Sequence, residues 1–144
     1  MVVLAAIAVG VALLVQRRRP PDEVATTTRQ TFTAPTQVDR NDFADPGHPW
    51  LVALFSSKTC DSCKGAWERT QPLASDQVAV ERVDAEDAQE IHDRYNIEAV
   101  PTTIIVNDQG VVVRSFLGPT SVTHLWAAVA EAREPGSSPD GCPE

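Results

Sequence analysis

The sequence predicts an α/β fold in which a mixed central sheet is covered by helices. Three observations carry that expectation. The apolar runs Trp50–Phe55, Val78–Val83 and Thr102–Val106 are nearly continuous rather than alternating, as strands buried on both faces are. Segments with apolar residues at helical spacing lie between and after them. The turn sequence Asn107-Asp108-Gln109-Gly110 joins the third run to Val111–Leu117, which predicts a hairpin and hence an antiparallel pair within the sheet.

In chain order, the first run is bounded by Pro49 and Ser56 and leads to Cys63, Ala66, Trp67 and Thr70, spaced as one face of a helix. After Val78–Val83 the same spacing recurs at Ala88, Ile91 and Tyr95. The carboxylates of Asp84–Glu90 suit the positive end of a helix dipole, so this acidic stretch is expected to be a helix N-terminus rather than a metal site. Pro119-Thr120-Ser121 is a start signal for the last helix, whose stripe is Val122, Leu125, Trp126 and Val129. Trp50, Trp67 and Trp126 all fall where core packing is expected. His92 and His124 sit on helices and are expected to be surface or partly buried residues.

The folded domain is thus expected over residues 36–133, and the flanks differ from it in kind. Val2–Val15 contains only Val, Leu, Ala, Ile and one Gly, and is followed by Arg17-Arg18-Arg19. As a helix it spans about 21 Å, against roughly 30 Å of hydrocarbon. Met1, Gln16 and snorkelling arginines extend its reach. With no polar face to turn to water, residues 1–19 are expected to be an N-terminal transmembrane helix with a basic stop. A cleaved signal peptide would place its positive charges before the apolar stretch and small residues after it, and neither feature is present. The arginine cluster predicts a domain on the cytoplasmic side, with the extracytoplasmic side as the alternative. Residues 20–35 (PPDEVATTTRQTFTAP) read as a flexible tether, and residues 134–144 (EPGSSPDGCPE) as a disordered acidic tail carrying Cys142.

The chain holds 12 basic and 20 acidic residues, net −8, and beyond the arginine stop the balance is −11. A protein that tracks nucleic-acid phosphates needs a basic face, so that class is excluded. Three cysteines are too few for a disulfide-dense secreted scaffold.

Chemistry is concentrated in Cys60-Asp61-Ser62-Cys63, where a buried strand gives way to a helix. At a first helical turn, unpaired N–H groups and the dipole favour the Cys60 thiolate, the species that attacks disulfides. Cys63, one turn on, faces inward with Ala66 and Trp67. Cys60 is therefore the candidate nucleophile and Cys63 the shielded resolving thiol. A zinc site would need two further ligands, yet Cys142, His48, His92 and His124 show no ligand spacing. Inert core cysteines remain a second alternative. The Pro-x-x-x-Thr-x-x-Cys pattern of a thiol peroxidase is missing, because Thr59 directly adjoins Cys60.

With these residues in view, Thr36–Arg133 resembles the thioredoxin family. The resemblance rests on Trp50–Phe55, Cys60-Asp61-Ser62-Cys63, Val83-Asp84, Val100-Pro101-Thr102 and Gly118 before the last helix. It implies a thioredoxin-like fold and a redox-active disulfide between Cys60 and Cys63. It also implies a cis Val100–Pro101 bond, where Pro101 blocks metal capture and the Val100 backbone pairs with an extended substrate strand. The chain departs from the family in three places. Thr59-Cys60-Asp61-Ser62-Cys63 replaces Trp-Cys-Gly-Pro-Cys, so that Asp61 opposes thiolate formation while Lys58 and Lys64 favour it. Leu54 and Val80 stand where the family has a buried Asp and its Lys partner. The helix-bending proline falls one turn later, at Pro72.

The implied function is a membrane-tethered thiol-disulfide oxidoreductase, monomeric and without an organic cofactor or metal. It would exchange disulfides with protein clients and a thiol redox partner. The alternative is a binding or redox-sensor module with little catalytic activity, which the missing acid and Gly-Pro dipeptide favour.

Overall fold

In the computed structural model, residues 32–137 are described; the expected transmembrane helix, the tether before Phe32 and Cys142 lie outside them. Strand β1 (Trp50–Ser56) is buried from Leu51 to Ser56, which is why its sequence shows no polar alternation. It pairs in parallel with β2 (Val78–Asp84) and antiparallel with β3 (Thr102–Val106). β3 pairs in turn with β4 (Val112–Leu117), giving a mixed sheet of order β2-β1-β3-β4. The helices are α1 (Asp61–Thr70), α2 (Gln89–Arg94) and α3 (Val122–Arg133), and a 3-10 turn at Gln71–Leu73 continues α1 through Pro72.

Side chains alternate across β1, and each face builds its own core. Leu51, Ala53 and Phe55 join Ala79, Val83, Ile104 and Val106, against which Ile91 and Tyr95 pack from the α2 side. Val52 joins Val78, Ile105 and Leu73, capped by Leu125 and Val129 of α3. Ser121 begins α3 as expected, its hydroxyl accepting the His124 N–H at 3.2 Å. Phe55 anchors the first core, edge-on to Phe43 and to the His92 ring with centroids 6.3 and 5.2 Å away.

Three expectations are corrected. His92 is buried rather than at the surface or partly buried: it lies against Phe55, and its Nε2 is 2.9 Å from the Val83 carbonyl, which satisfies the polar group inside the core. Trp126 is 46% exposed and Val122 49%, because α3 turns Leu125 and Val129 to the sheet and leaves those two on its flank. The acidic run is a helix N-terminus only at its end, where α2 begins at Gln89 and carries Glu90 in its first turn. Its first part is a turn in which the Asp84 carbonyl accepts the N–H groups of Asp87 and Ala88. The carboxylates of Asp84, Glu86 and Asp87 in that turn serve the site.

The far end of the sheet is closed by the β3–β4 turn. Asn107 Oδ1 accepts the N–H groups of Gln109 and Val111 at 3.0 and 2.9 Å. Gly110 has φ +79°, and a Cβ there would stand 2.1 Å from the Val38 carbonyl oxygen, so both the turn and the close passage of residues 36–38 require glycine. Arg40 is buried below this turn and donates to the carbonyls of Asn107 and His48 at 2.8 and 2.9 Å, its pKa lowered by burial. Asp42 accepts from Tyr95 and Arg94, which tie residues 39–43 to α2 and hold its carboxyl below the usual range, chiefly through the Tyr95 hydroxyl. Among the described residues no helix is long and apolar enough to cross a membrane.

Candidate functional site

The site forms where β1 ends and α1 begins. Cys60 is the residue that caps α1, in extended backbone conformation (φ −94°, ψ 104°), with its Sγ accepting the Cys63 N–H at 3.2 Å. The helix thus points its unpaired amides and positive dipole end at this sulfur. Cys60 is half-buried and Cys63 has no exposed surface, and a disulfide joins them. The inward face of α1 also buries Ala66 and Thr70, with Trp67 half-buried beside them.

Val100–Pro101 is a cis peptide bond, as the resemblance implies. Pro101 is buried and Val100 half-buried. Thr102, the first residue of β3, pairs with Phe55 of β1, so the topology brings Pro101 to the same end of the sheet as the Cys60 loop. The Gly118 N–H donates to the Pro101 carbonyl at 2.7 Å and holds the start of the hairpin against its end.

Leu54 is wholly buried, and Val80 packs partly buried against the second core, so neither position offers a proton acceptor. Polar groups enter one alternation later. Ser56 donates to Asp84, while Arg82 Nε lies 3.0 Å from both the Ser56 hydroxyl and the Asp84 carboxylate and Nη2 pairs with Asp84 at 2.9 Å.

The acidic loop after β2 grips the loop that leads to Cys60. Glu86 accepts the Ser57 hydroxyl at 2.6 Å and the Lys58 N–H at 3.0 and 2.9 Å. These bonds, the Ser57 hydroxyl first, lower the Glu86 pKa to about 2. Its carboxylate therefore stays ionised throughout the neutral range. Lys58 pairs with Asp87, which raises its own pKa. Its charge is thus largely answered by that carboxylate, and its expected support for a Cys60 thiolate is reduced. Spacing gave no sign of Glu86 or Asp87 as site residues, because their partners lie 28 and 29 positions away.

The remaining chemistry-bearing groups are elsewhere. A groove of about 670 Å³ lined by Gln37, Arg40, Asp42, Tyr95 and Gln109 lies at the β3–β4 turn end, opposite the cysteines, and the Arg40, Asp42 and Arg94 side chains there are engaged within the fold. Among the described residues, no three His, Cys, Asp or Glu side chains are grouped to hold a metal.

A helix-capping cysteine in a disulfide with a buried partner one turn on, at the end of a mixed sheet that carries a cis-proline, defines a dithiol–disulfide protein on an α/β scaffold. The Thioredoxin family model matches residues 24–131, and the chain belongs to the thioredoxin family. Among solved structures, a mutant thioredoxin from Halobacterium salinarum is similar at 22% identity and TM-score 0.55, over 70% of this chain and 95% of that one. Malassezia sympodialis thioredoxin is similar at 23% identity and TM-score 0.51, over 58% and 74% of the two chains. Schistosoma mansoni thioredoxin pre-protein is 26% identical with TM-score 0.50, over 58% and 79%. No curated protein matches the chain.

Proposed function

We propose that the protein is a thiol-disulfide oxidoreductase that exchanges disulfides with protein clients and a thiol partner through Cys60 and Cys63. The observation that carries this reading is the contrast between the two sulfurs, one accessible at a helix terminus and the other sealed beneath it. In the reducing direction, the Cys60 thiolate attacks one sulfur of a client disulfide. A mixed disulfide forms and the other client sulfur leaves as thiolate. Cys63, deprotonated, then attacks Cys60 Sγ, closing the Cys60–Cys63 disulfide and expelling the second client thiolate. Two electrons pass to the client, and the protons of the two cysteine thiols balance its two new thiols. Val100 presents backbone to an extended client segment beside Pro101.

Insulin reduction in dithiothreitol, with the full chain in detergent micelles, tests this reading. The chain is expected to outpace dithiothreitol alone. A rate equal to that background would leave the binding or redox-sensor module, which the apolar Leu54 favours.

The tether belongs to the same proposal: residues 1–19 anchor the chain, and the arginine stop keeps the domain cytoplasmic. In intact cells, an impermeant maleimide is then expected to leave Cys142 unlabelled until the membrane is permeabilised. Labelling before that step would place the domain outside.

A further inference from the structure

We infer that Glu86 is a positioning residue for Cys60, which sets how readily the Cys60–Cys63 pair closes; the inference rests on the exchange reading above. The loop between β1 and the first cysteine is only three residues long, Ser57 to Thr59, and Glu86 holds two of them. Its two carboxylate oxygens share the Lys58 N–H, and one of them also takes the Ser57 hydroxyl. Ser57 relays that hold toward the sulfur. Its hydroxyl accepts the Thr59 N–H at 3.3 Å and lies 3.0 Å from Thr59 Oγ1, and its carbonyl accepts the Cys60 N–H at 3.2 Å. Glu86 is therefore two links from the Cys60 backbone although it belongs to the loop after β2. The adjacent Lys58–Asp87 pair closes a second tie between the same two segments.

The consequence depends on redox state. In the disulfide form, the S–S bond itself tethers Cys60 to α1, so the loop is held from both ends. When that bond is reduced, the Glu86 contacts keep Cys60 near Cys63 and maintain a high effective concentration of one sulfur at the other. Removing the contacts frees the loop mainly in the dithiol form. Closure becomes less favourable, and the pair becomes a stronger oxidant. Loss of the fixed negative charge beside the loop acts in the same direction, since it eases thiolate formation at Cys60.

The test is equilibration of the full chain with glutathione, in which the dithiol and oxidised glutathione exchange two electrons to give the protein disulfide and two reduced glutathiones. The Cys60–Cys63 state is read by mass spectrometry of quenched samples. Glu86→Ala is expected to shift the equilibrium constant about fivefold toward the dithiol, and Ser57→Ala, which removes the hydroxyl's contacts with Glu86 and Thr59 without changing charge, about twofold in the same direction. Glu86→Gln, which keeps an acceptor oxygen, is expected to fall between Glu86→Ala and the parent. Circular dichroism of each variant confirms that the fold is intact. A Glu86→Ala constant equal to the parent, or shifted toward the disulfide, overturns the inference. Absence of insulin turnover by the parent would refute the exchange reading alone, because the glutathione equilibrium reads Glu86 without a protein client.

Discussion

Substituting Cys63→Ser in a Cys142→Ser background is expected to stop exchange after one attack and leave client protein joined to Cys60. Cys60 retains its place at the cap of α1 and its access to solvent, so the first step proceeds. The sulfur that would release the client is gone, and a serine hydroxyl cannot displace a thiolate at neutral pH. Turnover in limiting reductant should fall about a hundredfold or more, to the level of background thiol exchange. On a non-reducing gel, the reduced variant mixed with a disulfide client should show a one-to-one adduct that dithiothreitol dissolves. Release without an adduct, at the parent rate, would mean that Cys63 does not resolve the intermediate.

The largest stability effect is expected from Phe55→Ala. Phe55 has no exposed surface and stands between Phe43 and the buried His92. Truncation empties a ring-sized volume that rigid strand neighbours cannot refill, and it should cost about 4 kcal/mol in urea denaturation. That is a large share of the roughly 5–15 kcal/mol that holds a typical domain together. Because Phe55 pairs with Val83 and Thr102, the loss falls under both loops of the site, so insulin turnover should decline with the folded fraction. A midpoint unchanged by the substitution would show that this aromatic cluster is not the centre of the core.

What could be read from the sequence follows from how local each signal is. Strands with both faces covered carry their burial in their own composition, so Thr102–Val106 is predicted with its observed bounds and the runs at Trp50 and Val78 lack only one terminal residue. The fourth strand starts one residue later than expected because Val111 bridges to Gln37 instead. The cysteine pair was legible for the same reason, since strand, cysteine and helix follow one another along the chain. Other features are decided across the fold. Whether His92 is buried depends on where Phe55 and the Val83 carbonyl lie, and helical spacing alone does not show that α3 leaves Trp126 at its edge. Glu86 is the plainest case: an acid in an acidic run reads as a solvated charge or a helix end, and only the meeting of two loops reveals its three acceptor contacts. Arg40 is similar, a charge in the core whose partners are carbonyls that carry no sequence signature.

The central claim is that Cys60 carries disulfide exchange on this scaffold. Its most direct test compares insulin reduction by the full chain and by its Cys60→Ser variant at equal dithiothreitol. The parent is expected to outpace dithiothreitol alone, and the variant to fall to that background. Equal rates for the two would contradict the claim and leave the fold with a docking or sensing role.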